Sequence, residues 1–198
     1  MIHPDTELRF IDKEVGHGVV ATRFIPAGTI TWVLDPLDRE FTPEQLQKMP
    51  ALFQRDLKIY SYRNNIGNYV LCWDHGRYVN HSFRSNCMST AYDFEIAIRD
   101  IHPGEQLTDD YGYLNVEEPF HPVDEGTDRK IVYPDDLKNY SDSWDQKIAE
   151  IFPKILKHEQ PLFQVMSVTM QDKIKNIIEQ QAPITSIESV YYDPSNKA

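Results

Sequence analysis

Residues 78–87 read Tyr-Val-Asn-His-Ser-Phe-Arg-Ser-Asn-Cys, YVNHSFRSNC. A hydrophobic lead runs into an amide, an imidazole and a hydroxyl; a ring and a guanidinium follow, then a second amide and a thiol. In a plain core each unpaired polar group would cost about 1–3 kcal/mol, so such a mixture belongs there only if every group has a partner.

The rest of the chain sets bounds on what that segment can be. With 198 residues, 40% of them hydrophobic and 12% aromatic, the chain can build one domain with a real core and a small appended lobe. Disordered and fibrous classes are excluded by that composition. The formal net charge of −11 argues against direct nucleic-acid binding, which depends on Lys and Arg neutralising phosphates, and favours a basic partner or plain solubility. Acidic residues gather after Gly104, and such a run reads as a solvated face. Two cysteines, Cys72 and Cys87, imply no disulfide framework. There is no basic-then-apolar leader and no apolar run long enough for a membrane span, so a soluble intracellular protein, cytoplasmic or nuclear, with no membrane partner is expected.

Glycine-punctuated runs rich in β-branched and aromatic residues, LRFID, GHGVVATRF and IPAGTITWVLD, predict strands with a turn at Pro26-Ala27-Gly28. Thr42, Pro43 and Gln45 form a capping box that opens a helical insert at about 42–60, broken at Pro50. Strands resume with NYVLCW and FEIAIRDI, and His102-Pro103-Gly104 reads as a turn. Residues 1–115 thus form a mainly β domain with some helix, in the α+β class. Residues 116–142 read as an acidic linker or loop, and 143–198 as a helical lobe packed on the core. In that lobe Ser143-x-x-Gln146 reads as a second capping box, Pro153 as a kink and Pro161 as the opening of the last helix.

Three segments then fall in order: Gly16-His17-Gly18, YVNHSFRSNC, and Gly104-Glu105-Gln106-Leu107-Thr108-Asp109-Asp110-Tyr111-Gly112-Tyr113. Together, over residues 8–115, they resemble the SET-domain family of protein lysine methyltransferases. The resemblance implies short curved sheets around a knot-like core that holds S-adenosylmethionine. It implies that Gly16, His17, Gly18, Asn80 and His81 meet the cofactor, and that Ser82 and Asn86 satisfy backbone groups which the threaded chain buries. Tyr111 is implied as the catalytic hydroxyl. Tyr60, with Tyr62 as the alternative, and Tyr113 are implied as walls of a channel for the substrate lysine, carried by a basic protein or peptide. Ser89 and Asp109 stand where residues controlling the number of methyl groups are expected.

Elementary chemistry agrees on several points. Glycines let backbone approach a ligand closely, and methyl transfer needs orientation and a neutral amine rather than a covalent intermediate. A carboxylate beside that amine would raise its pKa, so the acids are expected at the rim of the channel and not inside it. The sequence departs from the family pattern in Phe83 and Ser85, and no cysteine cluster follows Tyr113, so the helices after Ser143 are expected to cover the site. A zinc site of Cys72, His75, His81 and Cys87 is disfavoured because its spacing matches no common finger, so no metal is expected. The other functional class is a catalytically idle module that binds a basic peptide.

Overall fold

A computed structural model describes residues 1–196. Strands β1 (Thr6–Asp12) and β2 (Gly16–Ala21) form an antiparallel hairpin. Its turn is closed by Asp12, whose carboxylate accepts the backbone N–H of Glu14 at 2.8 Å and of Val15 at 2.7 Å, and by Gly16 at φ +82°, a conformation that only glycine adopts freely. The chain continues through β3 (Ile30–Val33) and β4 (Arg39–Phe41) into the insert. There the Thr42 hydroxyl accepts the Gln45 N–H while the Gln45 side chain accepts the Thr42 N–H, so the expected capping box opens α1 (Pro43–Gln47). Pro50 separates it from α2 (Ala51–Tyr60).

After the insert come β5 (Ser61–Arg63), β6 (Tyr69–Leu71), β7 (Asn80–His81), β8 (Cys87–Ser89), β9 (Phe94–Ala97) and β10 (Thr108–Asp109). They make two three-stranded sheets, ordered β3-β9-β8 and β4-β6-β5, and one short parallel pair, β10 with β7. The mixed α and β architecture of small sheets is the one the sequence predicts. Among the described residues no helix is long and apolar enough to cross a membrane.

Two helices follow, α3 (Asp136–Ile151) and α4 (Val168–Glu179). Leu137, Ile148, Phe152 and Ile155 from this part pack on Ile30, Met88, Phe94 and Ile96 of the β3-β9-β8 sheet, and all eight are essentially inaccessible to solvent. Each such side chain contributes about 1.5–3 kcal/mol by leaving water. Gln160 joins the two layers: its amide donates to the carbonyls of Gly28 at 3.0 Å and Ile155 at 2.8 Å, and its oxygen accepts the Ile30 N–H at 2.8 Å.

Three local expectations need correction. Helix α3 starts at Asp136, so Ser143 is an exposed residue inside it rather than a cap. The Asp136 carboxylate accepts the Tyr133 N–H at 3.0 Å, and burial of Leu137 and Ser141 rewards the earlier start. Pro161 opens only a 3₁₀ turn, Pro161–Gln164; the last helix begins after Ser167, whose hydroxyl accepts the Met170 N–H. The acidic run is not wholly a solvated face either, because Asp109, Asp110 and Asp136 are buried.

Candidate active site

The opening segment is the centre of a threaded core. Parallel pairing of β7 and β10 sets Thr108 beside Asn80 and Asp109 beside His81, and the Ser82 N–H donates to the Asp109 carbonyl at 2.9 Å. The Asn86 side chain clamps the incoming strand: its amide donates to the Gln106 carbonyl at 2.6 Å and its oxygen accepts the Thr108 N–H at 2.8 Å. Ser82 Oγ accepts the Arg84 N–H at 3.0 Å. Amide and hydroxyl crowd here because two passes of chain, joined by only a two-residue ladder, need side chains to satisfy their remaining backbone groups.

The glycine hairpin leans on the same core. Asn80 Nδ2 donates to the His17 carbonyl at 3.0 Å and to Gln106 Oε1 at 3.1 Å. A Cβ on Gly18 would stand 2.3 Å from Gln106 Oε1 and 2.8 Å from Asn80 Nδ2, so any other residue would have to displace those two side-chain ends. His17 itself is exposed, with its ring edge-on to Phe10 and Tyr78.

His81 Nδ1 accepts the Tyr111 N–H at 3.1 Å, which assigns the proton of the neutral ring to Nε2. That Nε2 is buried with no partner, an unused donor on a ring set among Phe83, Tyr111 and Phe120. Burial lowers the imidazole pKa from 6.5 to about 4. Because the folded value lies below the unfolded one, the stability linked to neutral His81 is complete above pH 6.5 and is lost as pH falls towards 4. We expect a loss of about 2 kcal/mol over that window, below the full linkage value because the ring is only half-buried. Urea midpoints at pH 7 and pH 4 for wild type and His81→Gln check this: an equal pH-dependent drop in both would assign the effect elsewhere.

Tyr111 starts a 3₁₀ turn, Tyr111–Tyr113, capped by Asp110, whose carboxylate accepts the Gly112 N–H at 2.9 Å. The Tyr111 hydroxyl donates to the Val79 carbonyl at 2.9 Å, and burial raises its pKa, so the phenol stays protonated. Behind the turn lies Arg129, ion-paired to both Asp110 and Asp136 and ringed by Phe83 at 4.6 Å, Tyr140 at 4.5 Å and Trp144 at 5.6 Å. A Cβ on Gly112 would stand 2.9 Å from both Arg129 Nη2 and Trp144, so a larger residue there would push on the Arg129 cluster.

The side chain of Tyr111 also faces a cavity of about 870 Å³, whose wall includes Tyr60, Tyr62, Ser89 and Tyr113. Tyr62 is half-buried, edge-on to Trp32 at 5.9 Å, and Tyr60 is more open, against Tyr78 at 5.2 Å. Both candidate tyrosines therefore reach the cavity. Tyr113 is 2% exposed, with its hydroxyl bonded to Asp109, which holds it as part of the wall. Asp109 and Glu95 line the same cavity, which corrects the expectation that acids keep to the rim. Glu95 stands in strand β9 between Phe94 and Ile96, both buried in the core.

What lies over Tyr111 and His81 is also not the helices alone. Phe120, from the segment read as a linker, contacts the Tyr111 ring at 5.3 Å and the His81 ring at 5.6 Å, and Glu125 accepts the Phe83 N–H at 2.9 Å. The helices sit behind, through Trp144 on Tyr113 at 5.1 Å. Sequence reasoning missed Glu95, Phe120 and Arg129. Only Glu95 carried a signal, as a lone charge within an otherwise apolar strand.

Comparison with known proteins places this geometry. No curated protein matches the chain. One solved structure that does is a Plasmodium falciparum protein provisionally described as a histone methyltransferase, 18% identical, with a TM-score of 0.41 and coverage of 56% of this chain and 95% of that one. Another is a humanised mutant of the Chaetomium thermophilum Polycomb Repressive Complex 2 bound to the inhibitor GSK126, 19% identical, with a TM-score of 0.42. That match covers 55% of this chain and 15% of the other. Residues 16–112, which hold the glycine hairpin, the Asn80-His81 strand and the Tyr111 turn, match the model of the SET domain, so this segment of the chain is a SET domain.

Proposed function

We propose that this protein is a protein-lysine N-methyltransferase that uses S-adenosylmethionine. The observation that carries the reading is the double position of Tyr111: its backbone N–H is bonded to His81, the strand neighbour of the Asn80 that holds the glycine hairpin, while its side chain lines the cavity. One residue thus touches both places where two reactants would have to meet.

The residues present fit the cofactor. The unpartnered His81 Nε2 supplies a donor, Asn80 a fixed amide, and Gly16-His17-Gly18 a backbone surface free of side-chain obstruction at Gly18. When bound, S-adenosylmethionine supplies an electrophilic methyl group on a sulfonium. The Tyr111 hydroxyl and the carbonyl of Val79 form a preorganised dipole pair at the junction, able to orient charge without reorganising at the moment of reaction. The walls of Tyr60, Tyr62 and Tyr113 would desolvate an incoming ammonium, which favours the neutral amine. The net charge of −11 would attract a basic protein or peptide to the mouth.

Calorimetry with S-adenosylhomocysteine, followed by methyl transfer from labelled cofactor to mixed basic proteins, tests the reading. Asn80→Ala is expected to weaken cofactor binding by about 1–3 kcal/mol, through the lost amide and the stranded His17 carbonyl. Unchanged affinity in a folded Asn80→Ala protein would remove Asn80 from the cofactor site. Binding of a basic peptide without cofactor binding or transfer would favour the idle module.

A further inference from the structure

Two carboxyl groups stand in the wall of the cavity, Glu95 from β9 and Asp109 from β10, joined to each other by a hydrogen bond. Asp109 is 2% exposed and Glu95 half-buried. Like charges at such a distance do not both ionise in a buried site, so the pair holds one proton and one negative charge. Burial raises the pKa of both groups.

The surroundings offer hydrogen bonds but leave that charge without a cation. Tyr113 Oη donates to Asp109, the Asp110 N–H donates to it at 3.1 Å, and the Ser89 side chain bonds Glu95. Tyr62 from β5, Cys72 beyond β6, Cys87 from β8, and Tyr111 and Tyr113 from the 3₁₀ turn all have pKa values raised by burial, so all are neutral near pH 7. The nearest charges are already engaged: Asp110 by Arg129, and the Met1 amine by Asp35. Among the described residues no lysine, arginine or histidine forms an ion pair with Glu95 or Asp109. Trp32, 7% exposed in the same wall, also leaves its indole N–H unpartnered. The cations in the wall of the cavity are engaged elsewhere, Lys58 and Arg63 by Glu117 and Arg77 by the carbonyls of Cys72 and Trp73, so a buried anion facing the empty volume marks a place for a cationic ligand.

We propose that Glu95 and Asp109 accept the proton that the substrate ammonium must lose before its nitrogen can attack. This deepens the methyltransferase reading and rests on it. One N–H bond of the ammonium breaks, and its electron pair stays on nitrogen as the lone pair available for attack. An O–H bond forms on the ionised carboxylate of the pair, which then holds two protons and no charge. A carboxylate beside an ammonium in water would stabilise the charged form, but burial reverses the balance: the neutral amine beside a neutral acid pair avoids desolvating two ions. The second proton returns to solvent through the cavity mouth after the product leaves.

The isosteric variants Glu95→Gln and Asp109→Asn keep size and hydrogen bonding while removing a base. With core histones as a basic probe, wild-type turnover should change little between about pH 7 and 9.5. Each variant should be slower by about 100-fold or more at pH 7, and should recover roughly tenfold per pH unit as solvent deprotonates the ammonium instead. Variant profiles parallel to wild type would overturn the proposal. A second measurement needs no turnover. On adding n-butylammonium to wild-type protein with S-adenosylhomocysteine, the infrared band of protonated carboxyl should grow, and in Glu95→Gln it should not. A carboxyl band unmoved by the amine would overturn the role of the pair, whatever the turnover. The methyltransferase reading fails separately, by absence of S-adenosylhomocysteine binding and of transfer at every pH.

Discussion

Tyr111→Phe is expected to leave the protein folded and able to bind the cofactor while turnover falls roughly 10- to 1000-fold, the range for one oriented dipole contributing about 1.4–4 kcal/mol to the transition state. The ring contacts with His81 and Phe120 survive, and so does the backbone bond from Tyr111 to His81, because none of them uses the hydroxyl. What disappears is the O–H that donates to the Val79 carbonyl. The effect should therefore sit in the rate of the methyl-transfer step, measured under single turnover, and not in cofactor affinity. A single-turnover rate equal to wild type would show that the hydroxyl does not act on the reacting atoms.

The second large effect is on stability. Arg129 neutralises Asp110 and Asp136, two carboxylates that burial would otherwise hold protonated, and its guanidinium lies within 4.5 to 5.6 Å of three ring centres. Arg129→Met keeps much of the apolar packing but leaves both carboxylates without a counter-ion, so unfolding free energy should fall by about 3–5 kcal/mol at pH 7. An exposed ion pair would lose less than about 1 kcal/mol, so urea denaturation separates the two cases clearly. Arg129→Lys should be intermediate, since a single ammonium cannot address two carboxylates as a planar fork does. Because Asp110 also caps the Tyr111 turn, the Met variant should lose activity at temperatures where it is still folded. A change in unfolding free energy under 1 kcal/mol would mean that the segment around Arg129 is not holding the turn.

Several features were legible in the residues alone because they depend on neighbours close in sequence. The capping box at Thr42 needs only Gln45 three positions on, and the break at Pro50 needs only a missing N–H. The turn at Gly28, φ +96°, follows from a conformation that other residues avoid. The three motifs were legible for a different reason: each combines residue types that a plain core or loop would reject, so their order carried the SET resemblance that the family match at residues 16–112 now shows. The backbone-satisfying roles of Ser82 and Asn86 came with that resemblance, and the hydrogen bonds of both side chains agree with it.

The remainder was decided by contacts between residues far apart in the chain. Asp110 looks like one acid in an acidic run until Arg129, 19 positions later, closes on it. The start of α3 shifted from Ser143 to Asp136 because buried Leu137 and Ser141 outweigh a local capping pattern. The carboxyl pair shows the point most sharply: Glu95 and Asp109 come from different strands, and nothing near either one in sequence says that they meet. By itself, the sequence determined which residue types crowd the core and where local turns and caps fall. Tertiary structure alone decided which charges are paired, which are buried, and which face the cavity, because electrostatic environment depends on distance in space and on exclusion of water.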